Sequence, residues 1–442
     1  MQVSEEASGR RGPLAGIRVL EFTHLVMGPC CGMVLADLGA DVIKVEPAPA
    51  GDTTRRLTGA ATGFFPTYNR NKRSLCVDVK RPEGLELVHR LLSSSDVLIE
   101  NFRPGTMEKL GLGVEVATAL NPRLVYCACK GFLPGPYEHR TALDEVVQMM
   151  GGLAYMTGPP GRPLRTGASV NDILGGVFGA IAILAALRDR DATGRGGLVQ
   201  SGLFETNMLL VAQHMAYKAI EGSELPSFGD PAMGRPWPLY DVFESADADS
   251  PVFVGVVSTA QWRDFCDAFN LRDLLADPAL ATMPQLAAAR SRILPLAAAV
   301  FRSIPQREIM RRCENIGLPF SPISRPAQMF DDPHLKASGG LLSTDFTAVQ
   351  NATSGAPAMK VAGLPALPIS MPAGRLPLWR QPPSIGEHSY EIAREMGLSE
   401  ATIAAFVTDG TLAAPGTDGG QSNLSKTSRS DLATDSTGSS SG

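Results

Sequence analysis

The sequence predicts an α/β fold, with a large Rossmann-like parallel-sheet domain built from both chain ends and a smaller α+β domain. Three observations predict it. Strand and helix signals alternate through the first 130 residues, the pattern of a parallel sheet covered by helices on both faces. A separate hairpin-and-helix unit begins near Leu239, after a stretch rich in Gly, Pro and polar residues. The proline-broken run over 340–395 then reads as a return to the first domain. With 442 residues, 44% hydrophobic and 19% charged, the chain is long and apolar enough for two to three domains.

The elements follow in order. Ile17–Phe22 reads as a strand. Pro29 opens a helix to Leu38, and Gly39 ends it. Asp41–Glu46 and Ser74–Val79 are the next strands. Pro82 opens a helix to about Ser93, and Val97–Glu100 and Leu124–Ala128 add two more strands. Residues 141–220 read as mostly helical. One apolar helix runs from near Ile173 to about Arg188, and its Gly175, Gly176, Gly179 and Ala180 suggest close packing in a core. That apolar run is too short to span a bilayer comfortably. A hairpin pairs Tyr240–Phe243 with Val252–Val257, and Ser303-Ile-Pro-Gln306 has the capping-box pattern of a helix start. The expected divisions are a flexible arm over 1–15, the large domain over 16–225, the small domain over 226–330, the return over 331–413, and a disordered Gly/Ser-rich tail over 414–442.

Composition excludes several functions. A net charge of -5 leaves no basic field for nucleic acid. The polar start, with two Glu before Arg11, is not a secretory signal, so a cytoplasmic protein without a membrane partner is expected. Seven cysteines without a C-x-x-C pair suggest buried, reduced thiols. Cys127 and Cys129 share a strand face, but two thiols do not make a four-ligand zinc site, and no metal is expected. Glu46 ends the second strand, where a dinucleotide fold places a ribose-binding acid. Gly-x-Gly-x-x-Gly is missing after the first strand, which argues against nicotinamide chemistry.

Asp172 is the candidate catalytic residue. It sits just ahead of the apolar helix and 21 residues before Thr193-Gly-Arg-Gly196. The dipole and unpaired N–H groups of a helix start favour an ionised carboxylate, and such a carboxylate is a nucleophile. The plainer alternative is an N-cap. Asn101-Phe102 and Lys130 close neighbouring strands at their carboxyl ends, where open α/β sheets bind ligands.

Several motifs occur together in one order: Gly16-Ile-Arg-Val-Leu-Glu-Phe22, Leu38-Gly-Ala-Asp-Val-Ile-Lys-Val-Glu46, Gly51-Asp-Thr-Thr-Arg55, Asn69-Arg-Asn-Lys72-Arg-Ser74, Glu100-Asn-Phe-Arg-Pro-Gly105, Asn121-Pro-Arg-Leu124, Thr193-Gly-Arg-Gly196 and Pro382-Pro-Ser-Ile-Gly-Glu-His388. With Asp172, they make the chain resemble the family III CoA transferases from Gly16 to Thr402. The resemblance implies an interlocked homodimer, coenzyme A as a substrate, and no tightly bound cofactor. It implies CoA contacts at Arg55, Lys72, Arg73, Asn101, Phe102, Lys109, Lys130 and Phe132, the last standing where relatives often have Tyr. CoA has three phosphates, so converging cations suit it. For Lys72, Arg73 and Lys109 the plainer reading is solvated surface charge.

The resemblance also implies that Asp172 is the nucleophile of a double displacement, through an anhydride and an aspartyl-CoA thioester. N–H groups near that helix start and around Gly28 are candidate oxyanion donors. Val26 stands where several relatives carry Gln, and only Gly229 and Gly234 fall between Ser227 and Leu239, which disfavours formyl-CoA with oxalate. His24, His139 and Arg140 are weaker candidates for the pocket, His24 having the alternative of a loop histidine bonded to backbone. A donor such as succinyl-CoA and a dicarboxylate acceptor follow by analogy. An α-methylacyl-CoA racemase would carry His where Leu143 stands. An acyl-CoA-binding subunit of a hetero-oligomer is the remaining alternative.

Overall fold

The computed structural model describes residues 12–228, 230, 237–346, 359–372 and 374–415. Most of the expected arm, all but two residues of the expected tail, and both Gly229 and Gly234 lie outside them. The last residues of the arm are not free: Leu14 is buried and its N–H donates to Leu38 O at 3.0 Å. The chain forms two units, one from Met1–Gly151, Gly167–Leu210 and Leu342–Gly442, the other from Gly152–Thr166 and Val211–Leu341.

The first unit holds a seven-stranded sheet. Its strands are β1 (Arg18–Phe22), β2 (Asp41–Pro47), β3 (Arg73–Val77), β4 (Val97–Glu100), β5 (Val125–Lys130), β6 (Gly197–Gly202) and, near the end of the chain, β10 (Leu412–Ala413), in the order β10-β3-β2-β1-β4-β5-β6. All pair in parallel except β10, which runs antiparallel to β3. The parallel part has the doubly wound order, and it reverses between β1 and β4, where such sheets bind ligands.

The connecting helices are α1 (Met27–Asp37), α2 (Phe64–Tyr68), α3 (Pro82–Ser93), α4 (Thr106–Lys109), α5 (Val114–Leu120) and α6 (Asp144–Met150). Alternate strand residues face opposite sides. Leu20, Ile43, Leu98 and Tyr126 join α3 and α5 in one core, while Val19, Val42, Ile99 and Cys127 join α1 in another.

β6 lies in the stretch expected to be helical. Its Gly-Leu-Val-Gln-Ser-Gly sequence has glycine at both ends and only two apolar residues, and as an edge strand it leaves Leu198 exposed. Only its register against β5, from Val125↔Gly197 to Lys130↔Gly202, makes it a strand.

The second unit begins with α7 (Leu153–Thr157). The chain then returns to the first for α8 (Val170–Thr193) and leaves it inside α9 (Leu203–Glu221). An unbroken helix carries the chain across at Leu210, so this division differs from the expected one at residue 225. In the second unit β7 (Leu239–Phe243), β8 (Val252–Val256) and β9 (Phe320–Pro322) form an antiparallel sheet. It packs on α10 (Thr259–Ala268), α11 (Met283–Ala288), α12 (Arg290–Phe301) and α13 (Gln306–Asn315) around Trp262, Phe265 and Phe301. The expected capping box is not formed. Ser303 Oγ donates to Val300 O at 2.7 Å, and the first amide of α13, Gln306 N, is held by Asp247 at 2.8 Å.

α8 is long and apolar enough, by length and composition, to cross a bilayer. In this fold its glycine face lies on α1 and β5. A Cβ on Gly176 would meet Met27 O at 2.5 Å and Cys31 N at 3.0 Å. Those atoms are backbone, so the helices would have to part. Gly176→Ala is therefore expected to lower stability by about 1–3 kcal/mol in a urea titration. Gly197→Ala, with nothing within 4 Å of the added carbon, is the near-neutral control.

Candidate active site at the carboxyl edge of the sheet

β1 and β4 end side by side, and Asn101 ties their loops together. Its Oδ1 accepts from His24 N at 3.0 Å, and its Nδ2 donates to His24 O at 2.9 Å. The His24 ring stacks on Phe102 with centroids 5.4 Å apart, and burial lowers its pKa. Val26 is buried. A Cβ on Gly28, in the first turn of α1, would meet Thr23 at 2.5 Å and Asn101 at 2.9 Å, so the loop, the helix start and the staple fit only around glycine.

Below this loop lies a charge network centred on the fully buried Glu21, Lys44 and Lys72. Lys72 Nζ pairs with Glu21 Oε2 at 2.7 Å and donates to Pro29 O at 2.9 Å and Asn69 Oδ1 at 3.1 Å. Lys44 Nζ donates to Thr23 O at 2.8 Å and pairs with Asp52 at 3.0 Å and Glu21 at 3.5 Å. Arg73 is bonded to Asp41, Glu391 and Glu395, and only 2% of its side chain is exposed. Arg55 grips Glu46 through Nε at 2.7 Å and Nη2 at 2.6 Å, and donates to Pro383 O. Lys72 and Arg73 are thus shut away from an external phosphate, and the Arg55 fork is engaged by Glu46. In this chain all three cations expected at CoA bind protein carboxylates. Residue type does not reveal whether a cation is already paired inside.

Other expected residues do converge. Lys130 Nζ lies 2.5 Å from Glu100 Oε1 and 2.9 Å from Phe102 O. Phe132 is buried against Tyr137 and Phe204. Lys130, Phe132 and His139 line a cavity of about 230 Å³ with Glu100, Arg103 and Gln200. His139 pairs with Glu138 at 3.1 Å. Arg140 does not line the cavity; its guanidinium lies 4.6 Å from the Tyr137 ring centroid. Lys109 is exposed at the end of α4. Arg103 and Gln200 escaped the sequence reading. Arg103 lies inside Glu100-Asn-Phe-Arg-Pro-Gly105 and was legible there, whereas Gln200 depends on the unrecognised β6.

Asp172 is the third residue of α8, whose N-cap is Ser169. It is therefore inside the first turn, neither ahead of the helix nor its cap. The capping acceptor comes from elsewhere: Asp144 Oδ1, on α6, accepts from Asn171 N at 2.7 Å and Asp172 N at 3.2 Å. Asp144 is buried, and Gln148 Nε2 holds its other oxygen. Burial first, then the Asp144 and Glu145 charges, push the Asp172 carboxyl up to about 7. This reverses the expectation of a carboxylate kept ionised by the helix. A helix start is worth about 0.3–1 kcal/mol, whereas a rise of this size corresponds to roughly 4 kcal/mol. Tyr68, on α2, also feels Asp172: burial, then Cys30 and Asp172, push its phenol up to about 12. A carboxylate of this basicity, half-ionised near neutrality, is suited to nucleophilic attack.

The description CoA-transferase family III matches residues 14–389. The chain belongs to CoA-transferase family III. A succinate–glutarate CoA-transferase of Agrobacterium fabrum is 33% identical over 89% of this chain and 98% of its own length. A formyl-CoA:oxalate CoA-transferase of Rhodopseudomonas palustris is 31% identical over 91% and 97%. Among solved structures, a CAIB/BAIF family protein from Brucella suis is 31% identical with a TM-score of 0.74, covering 88% of this chain and 100% of that one. This CoA-transferase is thus a transferase enzyme, and acyl-CoA and carboxylic acid substrates fit it.

Two outcomes test the electrostatics of this family III site. Lys72→Met leaves Glu21 buried with Lys44 alone, at 3.5 Å. It should cost about 3–5 kcal/mol of stability in chemical denaturation while the KM for acyl-CoA of the folded enzyme stays unchanged. A raised KM at full stability would return Lys72 to the CoA site. Asp144→Asn keeps an oxygen for the two amides and removes the neighbouring charge, so the Asp172 carboxyl should titrate lower than in the parent. Carbon-13 NMR of the carboxyls, assigned by loss of the signal in Asp172→Asn, reads the shift.

Proposed function

We propose that this enzyme moves CoA from succinyl-CoA to a dicarboxylate such as glutarate, through covalent intermediates on Asp172. The observation that carries the reading is the Asp172 carboxyl: in the first turn of α8, largely buried, and raised to about 7. An Asp172 oxygen attacks the donor thioester carbonyl. The C–S bond breaks, giving a mixed anhydride and CoA thiolate. The thiolate attacks the Asp172 acyl carbon, releasing the donor acid as carboxylate and leaving an aspartyl-CoA thioester. The acceptor carboxylate attacks that thioester and frees the thiolate again. The thiolate then takes the acceptor acyl group from the second anhydride and restores Asp172. No proton or electron is gained or lost over the cycle, so no tightly bound cofactor is required.

Asp144 occupies the amides of Asn171 and Asp172. Oxyanion donors are therefore assigned to the opening amides of α1, at Met27 and Gly28. Coenzyme A lies along the carboxyl edge of the sheet past Asn101, Phe102, Lys130 and Phe132, with the exposed Lys109 and Arg103 meeting its phosphates. The dicarboxylate acceptor is supported by the succinate–glutarate relative. Val26 brings a buried hydrocarbon where several relatives carry Gln. A cytoplasmic homodimer is part of the reading. Leu143 just before α6, Met149 on α6, Ile181 on α8, Leu198 on β6 and Leu209 on α9 are large apolar side chains left exposed on the single chain.

Asp172→Asn should keep CoA binding and lower kcat by at least about 10³-fold, as loss of a nucleophile does. With succinyl-CoA alone, hydroxylamine should convert Asp172 of the parent to a hydroxamate, mapped by mass spectrometry. Ping-pong kinetics with glutarate should follow. A hydroxamate on another residue, or near-normal turnover of Asp172→Asn, would reject the mechanism. Turnover with oxalate but not glutarate would reject the acceptor.

A further inference from the structure

Three cysteines from two elements meet beneath α8. Cys127 and Cys129 project from the same face of β5, and α1 brings Cys31 over them. The three sulfurs lie within 4.8 Å of one another, and all three residues are buried. α8 closes the space above them with a glycine. A Cβ on Gly179 would lie 3.2 Å from Cys31 Sγ, 3.3 Å from Cys129 Sγ and 3.7 Å from Cys127 Sγ. The sulfurs therefore converge beside a backbone position that carries no side chain.

We propose that Cys31, Cys127 and Cys129 form a three-sulfur site for one copper(I) ion. The triangle sets the fit. With every side at or below 4.8 Å, its centre is at most about 2.8 Å from each sulfur, and metal–thiolate bonds are about 2.3 Å. Each side chain has to move inward by only about 0.5 Å, within the reach of a χ1 adjustment. Soft sulfur ligands select copper(I) over hard cations. Zinc takes four ligands in closed sites, and among the described residues no His, Asp or Glu completes this cluster. Copper remains in the +1 state throughout. Each sulfur that binds as thiolate releases its proton to solvent. The site is separate from the chemistry at Asp172, seven residues earlier on α8, and stands whether or not Asp172 is the nucleophile.

The test uses the full-length, reduced protein without oxygen. It is incubated with copper(I) buffered by bicinchoninate, then desalted and assayed for metal. One copper per chain should remain, with three sulfurs at about 2.3 Å in the X-ray absorption spectrum. Cys129→Ser and Cys31→Ser should each weaken retention at least about 100-fold, and Cys266→Ser, in the other unit, should not. Gly179→Ala keeps every thiol but puts a methyl against the triangle, and should weaken retention about 10-fold or more, the scale of a lost supporting contact. Circular dichroism checks that each variant is folded, and the wild-type spectrum decides the case if one is not. No copper retained, either by the folded protein or after refolding with copper(I) present, would overturn the proposal. So would equal loss in Cys266→Ser, a coordination shell without three sulfurs, or a Cys31 disulfide in place of the metal.

Discussion

Glu21 is the charge on which the site's geometry depends. It stands on the first strand, fully buried, and two lysines from later in the chain turn toward it. Lys72 uses the same ammonium to hold Pro29 O in the first turn of α1, and Lys44 uses its own to hold Thr23 O. The loop between β1 and α1 is thereby pinned from below by two cations, while Asn101 pins it from the side. A buried carboxylate without partners would be far too costly to keep ionised. The loop, the strand ends and the start of α1 are consequently fixed as one piece, and α1 is the surface on which α8 rests.

That second contact is steric. Gly175, Gly176 and Gly179 let the backbone of α8 approach Met27, Cys30 and Cys31 to distances at which any side chain would collide. Close packing sets the position of the α8 start, and Asp144 from α6 holds its first amides. The position fixed in this way is electrostatically uncomfortable for a carboxylate. Burial, Asp144 and Glu145 all oppose ionisation of Asp172. Such discomfort raises the basicity of the carboxylate, and the rest of the fold over-determines the geometry that maintains it.

The cations near the first three strands show how a family signature divides between structure and ligand. Asn69-Arg-Asn-Lys72-Arg-Ser74 supplies Arg70 to Asp37, Lys72 to Glu21 and Arg73 to Asp41 and Glu395, all inside the fold. The cavity is instead edged by Lys130, whose ammonium meets Glu100, and by Arg103. Sequence order alone marks both groups equally.

The sequence by itself determined the local elements: the helix opened by Pro82 and closed at Ser93, the strand Val97–Glu100, the glycine stop at Gly39, and the family through motifs kept in order. Those features depend on residue type and near-neighbour spacing, which a linear chain displays. β6 became visible only through its pairing with β5, because an edge strand flanked by glycines has little propensity of its own. The capping of α8 by Asp144 comes from an element 26 residues upstream, counted from the two starts at Asp144 and Val170, and the raised Asp172 pKa comes first from burial and then from the charges of that element. Which lysines and arginines face solvent, and that Cys31 joins Cys127 and Cys129, were likewise decided only in three dimensions. Burial and charge pairing are properties of what folds against a residue, and the tertiary structure alone brings those partners together.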